Sequence, residues 1–284
     1  MEAEPALAYL RRVGRGDRAK KALGQNYLID DALLEQMAAA AAPTAAGPVL
    51  EIGPGLGLLT RLLLRRQEAS GGRLWAAEID EGKVAVLERE FAGRPLSLLC
   101  LDARTVLLRD LWGGEKGAVC GNLPYYIANP LLRHFLRQRD SLTRLTVMVQ
   151  KEVGERLTAP PGGRPYGLLS LAVRLYAEPE FLFTVPAAAF RPAPRVTSAA
   201  VRLHPRPYPG LLLPEEDVLA VARAAFAQRR KTALNSLSAV WPRDKDTVRH
   251  WLRTAAIPPE ARAEQLTIED FQNIALTIRR DGDS

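Results

Sequence analysis

The chain has 284 residues, 47% hydrophobic and 25% charged, enough for a full core in one large domain with a small one beside it. No apolar run reaches the roughly 18 residues of a membrane span, and MEAEPALAYLRR lacks the basic-then-apolar order of a secretory signal, so a cytoplasmic location is expected. The net charge of +7 clusters: residues 11–21, RRVGRGDRAKK, hold six basic side chains and one acid, and Arg229, Arg230 and Lys231 stand in a row. Such runs either attract polyanions, nucleic acid first among them, or lie in solvent as ordinary surface. Cys100 and Cys120 sit inside apolar stretches and read as buried thiols, and the three histidines are scattered; no metal site is expected.

In chain order, DALLEQMAAAAA (31–42) reads as a helix with Asp30 or Asp31 as its cap, and Pro43 and Gly47 end it. GPVLEIG (47–53) is a short buried strand between glycines. LGLLTRLLLRRQ is a helix, GRLWAAEID (72–80) a second strand, EGKVAVLEREFAG a second helix, PLSLLCLDA a third strand and KGAVCGN a fourth. PLLRHFLRQ is a helix and LTRLTVMVQ (142–150) a fifth strand. Alternation of this kind implies parallel pairing and right-handed crossovers, an open doubly wound α/β sheet. EPEFLFTVP and RVTSAAVRLHP read as two further strands around a proline-rich segment. HPRPYPG (204–210) reads as a linker. Beyond it only helical periodicity remains: one helix or two in EEDVLAVARAAFAQRRKTALNSLSAV, then DTVRHWLRTAA and IEDFQNIALTIRR. The expected domains are a basic N-terminal extension over 1–20, an α/β catalytic domain over 21–205 and a helical domain over 211–284.

EIGPGLGLLT joins the first strand to a helix, with Gly53, Gly55 and Gly57 in G-x-G-x-G spacing. Glycines there let a backbone approach a ligand and turn tightly into the helix, although a ligand-free turn reads the same way. The second strand ends in Glu78, a suitable acceptor for ribose hydroxyls. The third ends in Asp102, placed to accept from an adenine amino group. Either acid alone would pass for a helix cap or a surface charge, but three such features at successive strand ends point to a nucleotide-like ligand, a dinucleotide or S-adenosylmethionine. The loop departs from the dinucleotide G-x-G-x-x-G pattern, and the fourth strand ends in Asn-Leu-Pro-Tyr (122–125), which suits no hydride chemistry. A nicotinamide enzyme is therefore a remote alternative.

Asn-Leu-Pro-Tyr resembles the target-amine motif of adenine-N6 methyltransferases. Around it, LGQNYLID (23–30), VLEIGPGLGLLT (49–60), LDA (101–103), GNLPYYIANPLL (121–132), VQKEVGERLTA (149–159), YGLLSLAVRLY (166–176) and FRPAPRVTSAAVRL (190–203) follow in order. Together they resemble the KsgA-type ribosomal RNA adenine dimethyltransferases, over residues 20 to about 240, and FAQRRKTALNSL is similar to that family's helical-domain motif. The resemblance implies a Rossmann-like S-adenosylmethionine-dependent methyltransferase sheet with a small C-terminal all-helical domain. It implies dimethylation of two adjacent adenines in small-subunit (16S) ribosomal RNA, within a pre-ribosomal particle, by a monomer with no membrane partner. It places Asn26 and Leu28 over S-adenosylmethionine, Gly53 and Gly55 in the loop beneath it, Glu78 on the ribose, Asp102 on the adenine, and Asn122 against both methyl donor and target amine. Leu23 and Tyr27 stand where the family usually has Phe. A large-subunit methyltransferase and a non-enzymatic assembly factor on the same fold are the alternatives.

The chemistry asks for these residue types. The exocyclic nitrogen of adenine is a poor nucleophile because its lone pair is delocalised into the ring. The Asn122 amide oxygen and the backbone carbonyl of Leu123 or Pro124 can accept both amino hydrogens and aim the lone pair, so the site works by positioning and electrostatics. Tyr125 is expected to stack on the base and Phe190 to cover its other face, with core packing as the alternative for Phe190; Tyr126 is expected to pack structurally. Arg229, Arg230 and Lys231, with the basic N-terminal run, are expected on RNA phosphates. PGGRPYG (161–167) reads equally as a loop near the RNA or a connector.

Overall fold

Apolar runs of five to nine residues, each closed by a glycine or a polar residue, become the strands of a seven-stranded sheet. The computed structural model describes residues 4–15, 26–42, 47–124, 127–228, 230–241 and 243–282. They divide into two compact units, residues 1–154 with 178–206, and residues 155–177 with 207–284.

In the first unit, β2 (Pro48–Ile52), β3 (Arg73–Glu78), β4 (Leu96–Cys100), β5 (Gly117–Asn122), β6 (Leu142–Gln150), β7 (Ala177–Val185) and β9 (Ser198–Pro205) form a sheet of order β4-β3-β2-β5-β6-β9-β7. The pairs among β2 to β6 are parallel, and β9 runs antiparallel to β6. Every residue of β2 is buried, as expected of a central strand covered on both faces. The order reverses between β2 and β5, so the crevice beyond their carboxyl ends is where such a sheet takes a ligand.

The helices between the strands are α2 (Asp31–Ala41), α3 (Thr60–Ser70), α4 (Glu81–Glu90), the short α5 (Leu108–Leu111) and α6 (Ala128–Leu136). Of the two acids at the head of α2, Asp30 is the cap, its Oδ1 accepting from Leu33 N at 3.0 Å. Leu34, Met37 and Ala38 of α2 and Leu62, Leu63 and Leu64 of α3 enter one apolar core with Val49, Leu74 and Ala118 of the sheet. Truncating a fully buried leucine such as Leu63 costs about 2–5 kcal/mol. Cys120 is buried but Cys100 is exposed, which corrects the reading of both as interior thiols. Cys100 ends β4, an edge strand with one neighbour and a half-open burial pattern.

The N-terminal residues also differ from expectation. Residues 4–15 do not form a loose basic arm; they carry α1 (Ala6–Val13), whose Ala6 and Tyr9 are buried in the core. The guanidinium of Arg12 lies between Glu4 and Glu90, at 2.9 and 2.7 Å, rather than free for phosphate. Residues 16–25 lie outside the described chain.

Two short strands the sequence did not reveal, β1 (Tyr27–Leu28) and β8 (Phe190–Arg191), pair antiparallel, Leu28 opposite Phe190. They bring together segments that stand far apart in the chain.

The second unit is helical. Its C-terminal part contains α9 (Glu215–Phe226), α10 (Ala233–Val240), α11 (Lys245–Thr254) and α12 (Ile268–Gly282), so the long periodic stretch is two helices, with the cap Thr232 opening the second. Three acids in the first turn of α9 complement its dipole. The unit also holds α8 (Leu168–Tyr176) and the second half of α7 (Lys151–Thr158). This moves a boundary drawn at 205–211 from the linker alone. Leu171 and Leu175 are buried in the core formed by Val218, Leu219, Leu237, Leu252 and Phe271, and that apolar stripe outweighs sequence proximity. Tyr166 of the PGGRPYG segment is buried in the same core, edge-on to Phe226. Among the described residues no helix is long and apolar enough to cross a membrane.

Candidate active site

A cavity of about 160 Å³ opens beyond the carboxyl ends of β2 to β5. Its lining includes Asn26, Leu28, Gly53, Gly55, Glu78, Asp102, Asn122, Leu123 and Pro124. The structure therefore brings all seven expected donor-binding residues together, with three of the five expected at the target amine.

The loop from Gly53 to Gly57 is built for close approach. Gly55 has φ +58°, and a Cβ there would sit 3.1 Å from the Tyr27 ring. At Gly57, φ is +89° and a Cβ would meet the Phe91 ring at 2.7 Å. Only glycine meets both demands, a left-handed backbone and no side-chain volume. The Glu78 carboxylate organises the rim: Oε2 accepts from Gly55 N at 3.1 Å, and Oε1 from the N–H groups of Ile79 at 2.8 Å and Asp80 at 3.0 Å. It is buried, and its second oxygen fixes the very loop beneath the cavity.

Asp102 caps a 3-10 turn, its Oδ1 accepting from Arg104 N at 2.9 Å, and its Oδ2 lies 2.6 Å from the Arg104 guanidinium. The hydrogen bonds from Arg104 hold its carboxyl below the usual aspartate range, so it stays an acceptor. Asn122 ends β5, and its amide nitrogen donates to the Asn26 carbonyl at 3.1 Å. That bond fixes the amide orientation and turns Oδ1 into the acceptor edge. Leu123 N donates to Met148 O at 3.0 Å, and the Pro124 carbonyl accepts from Ile127 N at 3.0 Å. Of the two carbonyls considered for the target amine, Pro124's is thus already engaged in a turn.

Two expectations at the target amine fare differently. Tyr125 lies outside the described residues, as do Tyr126 and Leu23. Phe190 is 1% exposed, packs in the core beside Leu28 and does not line the cavity. In this geometry it supports the donor-side segment through β8 and offers no face to a base, which corrects its assignment as a stacking platform. Arg230 and Lys231 are exposed between α9 and α10, and Arg229 lies outside the described residues.

Sequence reading missed Glu51. It lies inside the apolar run of β2, is 2% exposed and lines the cavity. Its Oε2 meets no hydrogen-bond partner. Burial pushes its carboxyl up to about 8, Glu78's charge adds to the rise, and the Thr60 hydroxyl opposes it without closing a bond of ordinary geometry. The sequence signal was an acid two residues before the glycine loop. Lys83, 1% exposed, is the other unforeseen neighbour, its Nζ 5.3 Å from the centre of the Tyr27 ring. The tyrosine that replaces the family's usual Phe thus meets a cation.

A sheet of this order, with a glycine loop at its switch point and acids at the ends of β3 and β4, defines a Rossmann-like S-adenosylmethionine-dependent methyltransferase. Among solved structures of that shape, a dimethyladenosine transferase from Plasmodium falciparum superposes with a TM-score of 0.71 at 23% identity, covering 89% of this chain and 97% of that one. The 23S rRNA methyltransferase ErmE gives 0.66 at 25%, covering 89% and 99%. Residues 16–280 match the family model of ribosomal RNA adenine dimethylase, and the chain belongs to that family. A Ribosomal RNA small subunit methyltransferase A from Desulfitobacterium hafniense is 48% identical over 99% of this chain and 100% of its own length. One from Pelotomaculum thermopropionicum is 41% identical over 96% of each.

The donor this family implies fits the residues present. The cavity combines a buried carboxyl oxygen without a partner, a glycine cradle with no Cβ to fill it, and two acids at strand ends.

Proposed function

We propose that this enzyme transfers methyl groups from S-adenosylmethionine to N6 of two adjacent adenines in small-subunit ribosomal RNA, twice at each, on a pre-ribosomal particle in the cytoplasm. The observation that carries the reading is Asn122: its amide nitrogen is committed to the Asn26 carbonyl, so its oxygen is presented as an acceptor at the cavity wall. The small-subunit choice rests on full-length identity to small-subunit enzymes, because the large-subunit enzyme ErmE has the same fold.

Glu78 would hold the ribose hydroxyls, Asp102 the adenine amino group, and Gly53 and Gly55 the amino-acid portion of the donor. When bound, the sulfonium donor supplies an electrophilic methyl. Glu51 places a carboxyl that can ionise beside a cationic ligand, where its negative form gains most. On the acceptor side, Asn122 Oδ1 takes one hydrogen of the target amine. The Leu123 carbonyl, unlike Pro124's, is not engaged in the Ile127 turn, and it takes the other. Both hydrogen bonds draw the nitrogen toward tetrahedral geometry and aim its lone pair across the cavity. Once the N–C bond has formed the nitrogen is cationic and acidic, so its proton leaves without a strong base. Tyr125 would stack on the base, and Arg229, Arg230 and Lys231 would contact RNA phosphates.

Purified protein with labelled donor should methylate small subunits that lack the modification, to four methyl groups per particle. Asn122→Ala should lose at least about 100-fold in turnover, the scale of one positioned hydrogen-bonding group. Wild-type protein that binds small subunits and transfers nothing would favour an assembly factor. Modification confined to large-subunit RNA would refute the substrate.

A further inference from the structure

We infer that α1 is a clamp on the donor-binding loop and that Tyr9 is its positioning residue. The helix precedes the span matched by the family model, which starts at residue 16, and its basic character first suggests an RNA-binding arm. Its contacts place it elsewhere. Tyr9 is 3% exposed, and its hydroxyl donates to the Leu56 carbonyl at 3.1 Å, inside the glycine loop. The bond is buried and joins residues 47 positions apart. Gly14, just beyond the helix, approaches the same residue so closely that a Cβ there would lie 3.2 Å from the Leu56 side chain.

The ring of Tyr9 is held as firmly as its hydroxyl. The Arg61 guanidinium lies 4.9 Å from the ring centre and that of Arg12 5.2 Å. Arg12 is tied in turn to Glu90 of α4. The Ala6 amide donates to the Asp31 carboxylate at the head of α2, 2.9 Å away. Arg61 of α3 bonds both the Glu4 carbonyl and Asp31. Helices α2, α3 and α4 thus all fix α1 in position, and α1 commits its one buried side-chain hydroxyl to the loop.

A glycine loop needs such help. Its left-handed residues are entropically costly to order, and Glu78 restrains it from one side through Gly55. The Leu56 carbonyl is the next residue's acceptor, and Tyr9 restrains that. With both restraints the loop is ordered before the donor arrives, which lowers the cost of binding. RNA contact plays no part in this role.

The inference rests on the reading that residues 53–57 hold the donor. Amide hydrogen exchange on the full-length wild-type protein, with and without S-adenosylmethionine, tests that reading first: the donor should protect 53–57, and no protection would sink the reading itself. Given protection, Tyr9→Phe removes only the hydroxyl. It should speed exchange at 53–57 in the free protein and raise the Kd for the donor about three- to tenfold. Turnover at saturating donor and the KM for small subunits should stay within twofold. A variant with wild-type loop exchange and donor Kd, whatever its melting temperature, would overturn the clamp. So would a raised KM for small subunits with donor affinity intact, which belongs to an RNA arm.

Discussion

Glu51→Gln offers a sharp test of the cavity's electrostatics. The side chain keeps its shape but can no longer ionise. Burial raises the Glu51 carboxyl from 4.5 to about 8 in the folded protein. The folded state therefore holds this proton more firmly than the unfolded chain. Its contribution to stability is complete below 4.5 and is lost as pH rises to about 8. Each pH unit in that window is worth about 1.4 kcal/mol, so the wild type loses roughly 3 kcal/mol by neutral pH and roughly 5 across the window. The amide variant has no such window. Urea unfolding of both proteins without donor, at half-unit steps from pH 5 to 8.5, should show the variant gaining steadily on the wild type and levelling off near the top. A cationic ligand reverses the preference, so wild type should release a proton on binding the donor near neutral pH, and Glu51→Gln should not. Calorimetry in buffers of different ionisation enthalpy measures that release. A constant stability gap across the range would refute the reasoning, since it would mean that Glu51 is ionised in the free protein.

Gly57→Ala combines a left-handed φ with contact against the Phe91 ring and should cost about 2–4 kcal/mol. Gly53→Ala, with open space around it, should cost only about 1–2 kcal/mol; equal melting temperatures would contradict the packing account. Glu78→Gln keeps one acceptor oxygen and sets an amide nitrogen against either Gly55 N–H or the Ile79 and Asp80 N–H pair, so donor Kd should rise at least about tenfold; an unchanged Kd removes Glu78 from the site. Asp30→Ala should lower stability by about 1 kcal/mol through the lost cap of α2, measurable by thermal melting. Replacing Arg229, Arg230 and Lys231 by Ala should weaken RNA binding and flatten its salt dependence by up to about three phosphate contacts, and an unaltered slope would make them plain solvated surface.

The strands of the large sheet were legible because each is a short apolar run closed by a glycine, a proline or a polar residue, and the acids at the ends of β3 and β4 stood out against that background. Glu78 and Asp102 needed no structure to be noticed. Glu51 did, because an acid inside such a run looks like an interruption until the cavity beside it is seen. Phe190 misled for the opposite reason: an aromatic before Arg-Pro-Ala-Pro looks poised for a ligand, yet it is consumed by pairing with Leu28. Tyr9 was hidden in a segment whose charges drew the eye. Local pattern also could not say that residues 155–177 pack with the C-terminal helices, since that depends on which apolar stripe finds a partner. Cys100 shows the same limit, because nothing in LSLLCLD marks its strand as the edge of the sheet.

The two-residue pairing of Tyr27 and Leu28 with Phe190 and Arg191 also has a bearing on synthesis. One wall of the donor cavity begins near residue 26 and leans on a strand that leaves the ribosome some 160 residues later. Contacts that distant in sequence close late in folding. The growing chain therefore carries its glycine loop and acids through nearly half of translation before that wall has its support, and the cavity is complete only when almost the whole sheet has been threaded.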